Sequence, residues 1–183
     1  MSQTGLISYL HFLRGEKNAL EDLVRKYSDT LTRYAYCYVG DADLAEDVME
    51  ETFATLLVRH KHFDDEAHLQ AYLYKVARNK SIDMLRKRKR EVALSDVEEV
   101  LCGSDAESNV IKDNLNQQIY ICMQQLPAQY KEVLYLSYFE DFSNDEVCSL
   151  MKKSKKQVYN LLSRARVALK EIFIKEGISY EDL

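Results

Sequence analysis

Lys155, Lys156, Gln157, Tyr159, Asn160, Ser163 and Arg164 gather cations, amides, a hydroxyl and an aromatic ring into one short stretch. These are the groups that bond phosphate oxygens and base edges: lysine suits phosphate or guanine, Gln157 and Asn160 suit adenine, and Tyr159 offers an apolar contact. Catalysis would need a nucleophile, a base and an orienting group brought together. No such set stands out. His60, His62 and His68 form the nearest thing to a metal cluster, but no cysteine lies beside them and a lone His-x-His is weak. No metal and no cofactor is expected, nor an enzyme acting on a small-molecule substrate.

The element that must carry the polar residues is a helix. Ser154-Lys155-Lys156-Gln157 has the form of a capping box, and Val158, Leu161, Leu162, Ala165, Leu169 and Ile172 follow at helical spacing. Just before it, Ser143-Asn144-Asp145-Glu146 is a second capping box, with Phe142 and Val147 placed as a hydrophobic staple. Two helices therefore meet across a short turn, as in a helix-turn-helix. Lys152 and Lys153 stand where that motif usually has glycine and an apolar residue.

The rest of the chain also reads as helix. Five glycines and one proline among 183 residues leave almost none of the punctuation that sheets require. Apolar residues spaced by three and four mark a helix from Ala19 to Val39, ended by Gly40. A second, capped by Asp43, runs from Leu44 to Val58 and buries Ala45, Val48, Met49, Thr52, Phe53 and Leu56, with Glu46, Asp47, Glu50 and Glu51 outside. A third carries Leu69, Tyr72, Leu73, Val76 and Ala77 on to Met84 and Leu85. Between residues 91 and 113 the periodicity fades and seven acids face Lys112 alone, which marks an acidic linker. Leu115, Ile119, Cys122, Met123 and Leu126 then begin a second helical set, and Pro127 opens a helix burying Tyr130, Val133 and Leu134. The expected fold is all-α: two small helical domains, 1–90 and 114–183, joined by the linker, the second containing the helix-turn-helix.

Charge is distributed unevenly over this plan. The chain totals −5, yet residues 67–90 carry eight bases against Asp83, and residues 151–175 carry eight against Glu171. Two basic surfaces on an acidic body suit contact with nucleic acid at two places. Cys37, Cys102, Cys122 and Cys148 are too scattered for a metal site and read as reduced residues of a cytoplasmic protein. No apolar run approaches the roughly 18 residues that a membrane span needs.

Taken together, these segments resemble the extracytoplasmic-function group of bacterial sigma factors, from about Ala19 to Phe173. AEDVMEETF at Ala45–Phe53 is similar to that family's core-polymerase-binding helix, though Glu50 replaces the usual glutamine. AYLYKVARNKSIDMLRKRKR at Ala71–Arg90 resembles the segment that reads and opens the minus-ten element. LPAQYKEVLYLSYFEDFSNDEV from Leu126, with SKKQVYNLLSRARVALK from Ser154, looks like the segment that reads the minus-thirty-five element. The resemblance implies that Asp47, Glu50, Glu51 and Phe53 bind core RNA polymerase. It implies that Arg78, Asn79, Arg86 and Lys87, with the loop from His60 to Glu66, hold a displaced promoter strand, Asp83 pairing with a nearby arginine. The recognition helix would read duplex promoter DNA through Lys155, Lys156, Gln157, Tyr159, Asn160, Ser163 and Arg164. It implies as well that the acidic linker lies in a basic polymerase channel, and that an anti-sigma factor, often membrane-bound, covers an otherwise monomeric chain. A stand-alone helix-turn-helix regulator, dimeric on palindromic DNA, is the alternative from the residues alone, and a helical adaptor for acidic proteins is a third reading.

Overall fold

The computed structural model describes residues 5–16, 18–94 and 114–178, and among them every regular element is a helix. The expected linker stretch 95–113 lies outside the described residues, as does the side chain of Leu115. The helices fall into two compact units.

The first unit contains α1 (Gly5–Leu13), α2 (Ala19–Val39), α3 (Ala42–Arg59) and α4 (Glu66–Leu94). Helices α2, α3 and α4 pack on one another in all three pairings. Their apolar stripes converge: Leu23, Leu31, Tyr34, Ala45, Val48, Leu56, Leu69, Leu73, Tyr74 and Ala77 are fully buried. Each leucine so buried stabilises the unit by roughly 1.5–3 kcal/mol. Thr52 and Ser81 are buried among them at little cost, because each hydroxyl donates to the carbonyl one turn back, Val48 at 2.7 Å and Ala77 at 2.9 Å.

Helix α2 has the predicted limits, and Gly40 closes it at φ 65°, its N–H donating to the Tyr36 carbonyl. The cap of α3 differs from the expectation. Asp41, not Asp43, accepts the Leu44 N–H at 3.1 Å, because the helix begins at Ala42 and leaves Asp43 inside its first turn. There the Asp43 carboxylate still faces the positive end of the helix dipole. Helix α4 starts at Glu66, the residue at which the expected loop ends, and continues to Leu94, past the expected domain boundary at 90.

Helix α1 matches no element that periodicity predicts, and its anchor is a residue far along the chain. The Glu66 carboxylate accepts the N–H groups of Gly5 (2.9 Å) and Leu6 (2.6 Å), the Lys26 ammonium (2.5 Å) and the Tyr27 hydroxyl. A helix N-terminus with unpaired N–H groups is thus capped by a carboxylate from another helix. Gly5 is required at this approach, since a Cβ there would collide with the Tyr27 ring. Burial pushes the Glu66 carboxyl up, but the hydrogen bonds from Lys26, Tyr27 and Leu6 outweigh it and hold the group below its ordinary 4.5. The stabilisation is therefore complete above about pH 4.5 and is lost as pH falls through the lower folded-state value. Glu66→Ala is expected to remove about 2 kcal/mol at pH 7, since it strands two N–H donors and an ammonium. A denaturant titration at pH 7 and again at pH 3 checks this: the gap between variant and wild type should shrink in acid, and a gap that stays constant would refute it.

The second unit contains α5 (Asn114–Gln124), α6 (Ala128–Tyr138), α7 (Asn144–Met151) and α8 (Lys155–Lys175). Pro127 stands at the N-cap of α6, where a missing N–H costs nothing. Of the residues expected inside α6, Val133 and Leu134 are buried and Tyr130 is half-buried. Val147, Leu150, Met151, Val158, Leu162, Ala165 and Phe173 join them from α7 and α8.

Candidate nucleic-acid interface

Both capping boxes form. Ser143 and Ser154 each accept the N–H three residues on, and Glu146 and Gln157 each accept the N–H of their serine at 2.8 Å. Phe142 and Val147 are both buried, as the staple requires. Between the helices Lys152 adopts φ 54°, and both its N–H and that of Lys153 donate to the Cys148 carbonyl. The turn thus closes without the usual glycine. Left-handed backbone costs a non-glycine residue roughly 1–2 kcal/mol. Lys152→Gly should raise stability by about 0.5–1 kcal/mol, the remainder being offset by the glycine's greater freedom when unfolded. Thermal melts of the full chain test it, and no rise would show that Lys152 is unstrained.

Helix α8 leaves the seven residues from Lys155 to Arg164 named above exposed, opposite the buried Val158, Leu162 and Ala165. Two of them already have intramolecular work. Lys155 lies 2.7 Å from Asp145, an exposed pair whose hydrogen bond, then charge, push the ammonium pKa up. Gln157 accepts the Ser154 N–H through its carbonyl oxygen, which ties its amide to the cap and leaves that oxygen one further lone pair. Arg166 turns away to α6, donating to the Tyr138 hydroxyl at 2.6 Å and lying over its ring.

In the first unit Arg59, Lys61, Tyr72, Lys75, Val76 and Asn79 line a groove of about 500 Å³. Of the four residues that sequence places at the minus-ten strand, only Asn79 is in this wall. Arg86 and Lys87 are exposed farther along α4, Arg78 is half-buried, and Asp83 is exposed with its carboxylate 3.5 Å from Arg86. Lys61 belongs to the loop that sequence assigned to the strand, whereas Arg59, Tyr72 and Lys75 were not named as site residues. The signal was present: residues 72, 75, 76 and 79 share one helical face, but Tyr72 and Val76 also fit the core stripe. Tyr72 is in fact half-buried, with its ring on Phe63 and the Lys61 ammonium 4.9 Å from its centroid. Basic side chains around an aromatic ring suit a phosphate-linked strand with an unstacked base.

On α3, Asp47, Glu50 and Glu51 are exposed, and Glu51 pairs with Lys80 of α4 at 2.6 Å. Phe53 does not join them. It is 5% exposed and points into the core, so it fixes the helix and offers no surface to a partner. A phenylalanine at this helical register belongs to the buried stripe with Thr52 and Leu56.

Residues 6–91 match the family model for Sigma-70 region 2, and residues 116–169 match that for Sigma-70, region 4. ECF RNA polymerase sigma factor SigM of Bacillus subtilis is 30% identical over 166 residues, covering 88% of this chain and 99% of that protein. This chain is an ECF sigma factor. SigW of the same organism is 28% identical over 169 residues, covering 86% of the chain and 90% of that protein. The fold agrees. The structure of the sigma factor RpoE in complex with the anti-sigma factor NepR from Bartonella quintana superposes with a TM-score of 0.67 at 23% identity, covering 85% of this chain and 97% of that one. The structure of CnrH in complex with the cytosolic domain of CnrY superposes with a TM-score of 0.63 at 19% identity, covering 94% and 99%. The sigma factor thus carries both regions in order, which a stand-alone helix-turn-helix regulator would not need. Among the described residues no helix of the sigma factor is long and apolar enough to cross a membrane.

Proposed function

We propose that the three surfaces act in sequence during transcription initiation in the cytoplasm. The acidic α3 face of Asp47, Glu50 and Glu51 docks on core RNA polymerase, with opposite charge steering the encounter. Polymerase then sets the separation of the two DNA-binding units, and the acidic linker lies along it. Helix α8 enters the major groove of the minus-thirty-five element, where Lys156, Arg164 and their neighbours take phosphates and Asn160 reads a base edge. The groove beside α4 receives the unpaired minus-ten strand, its base against Tyr72 and its phosphates on Arg59, Lys61 and Lys75. Stacking on one aromatic ring contributes about 1–3 kcal/mol per base, comparable to the few kcal/mol needed to extrude it.

The observation that carries this reading is that one helical unit presents an acidic α3 face and a basic, aromatic groove together. A repressor reading one duplex site has use for neither. The chain acts without catalysis and is a monomer when free, and an anti-sigma factor covers these surfaces; the RpoE structure named above is of a complex with an anti-sigma factor. Mixing the chain with bacterial core polymerase on a sizing column tests the first step. Co-elution supports it, whereas a chain that ignores polymerase and shifts duplex DNA as a dimer would overturn it.

A further inference from the structure

The loop between α3 and α4 belongs to no helix from 61 to 65, yet it supplies Lys61 to the wall of the groove. Its position must come from contacts with other elements. Tyr9, at the middle of α1, is fully buried and donates its hydroxyl to the Lys61 carbonyl at 2.9 Å. Its ring meets Phe63 edge-on at 5.5 Å between centroids, and Phe63 in turn packs against Tyr72 at 5.2 Å. The Lys61 ammonium closes the circuit, 5.6 Å from the Phe63 centroid and 4.9 Å from that of Tyr72. Four side chains from α1, the loop and α4 thus hold one another around the groove's aromatic wall. We infer that Tyr9 is a positioning residue for promoter opening: through this circuit α1 sets the loop that grips the unpaired strand. This rests on the strand-binding reading of the groove given above.

The chemistry separates this role from ordinary packing. Burial first, then the neighbouring Tyr72, push the Tyr9 phenol up, so it stays protonated and remains a donor through neutral pH. Tyr9→Phe keeps the ring, its burial and the edge contact, and deletes only the bond to Lys61. Loss of one neutral hydrogen bond should lower affinity about two- to tenfold where the loop is used, and nowhere else. Lys61 is an exposed residue and the phenylalanine ring still fills the space of Tyr9, so the unit itself should not unfold.

The test uses holoenzyme assembled from the full chain and core polymerase. Short single strands enriched from a random pool by the wild-type holoenzyme are titrated against wild type and Tyr9→Phe, beside fully duplex DNA and bare core polymerase. The expected result is weaker single-strand binding and relaxed sequence preference in the variant, with duplex and polymerase binding unchanged. Hydrogen exchange of the free chain should then show faster exchange confined to the loop amides. Equal single-strand affinity and equal loop exchange in the two proteins overturn the inference while leaving the strand-binding reading intact. A wild-type holoenzyme that enriches no strand overturns both. If all three bindings fall together, Tyr9 is merely structural and the inference is wrong.

Discussion

Changing Asp47, Glu50 and Glu51 together to lysine is expected to weaken docking on core polymerase by at least about a hundredfold, through three reversed charges of roughly 1 kcal/mol each. All three side chains are exposed on α3, so the fold has no stake in their sign. The exception is Glu51, whose partner Lys80 would face another cation, and exposed pairs of this kind are worth only about 0.2–1 kcal/mol. Circular dichroism melts should therefore be nearly unchanged while co-elution with polymerase disappears. Added salt should narrow the difference, because charges at an exposed face are screened within about 8 Å at physiological ionic strength. A reversed chain that still co-elutes at matched concentration would move the polymerase contact elsewhere. Phe53→Ala should behave in the opposite way, lowering stability with no specific loss of docking, because its ring lies in the core.

Replacing Lys156, Asn160 and Arg164 by alanine is expected to reduce affinity for the minus-thirty-five duplex by about 10²–10³-fold, since base-edge pairs and phosphate contacts each contribute on the order of 1–3 kcal/mol. The three lie on the exposed side of α8, away from Val158, Leu162 and Ala165. Two of them carry charge, so the variant's binding should also depend less steeply on salt, with the slope falling by about one for each phosphate that is no longer neutralised. Gln157→Ala is the informative contrast. It removes half of the capping box and should cost helix stability of about 1 kcal/mol with little change in base preference. Titration of labelled promoter duplex over a salt series measures all of these, and an unchanged slope in the triple variant would show that α8 does not face DNA.

What could be read directly from the residues is what depends on neighbours along the chain. The limits of α2, the closure at Gly40 and both serine capping boxes follow from side chains bonding backbone within a turn or so, and each is found where the spacing puts it. The alternation of acidic and buried residues on α3 was legible for the same reason. What escaped depends on closure in three dimensions. Helix α1 has apolar residues over most of its surface, and becomes definite only when Glu66, 61 residues beyond Gly5, takes up its N-terminal donors. The groove was legible only in part: the loop that carries Lys61 was expected at the strand, but Arg59, Tyr72 and Lys75 join it only through packing around a loop whose course the Tyr9 hydrogen bond fixes. Gln157 and Phe53 show a third limit. Each residue type fits two roles, an amide that caps or reads a base and a ring that packs or docks, and only the fold decides between them.

Transcription from a library of genomic fragments, with core polymerase alone and with the chain added, tests the central claim most directly. A discrete set of new start sites sharing an upstream and a downstream element, present only with the chain and lost with the lysine-reversed α3 face, is the predicted outcome. Polymerase that starts at the same places whether or not the chain is present would contradict it.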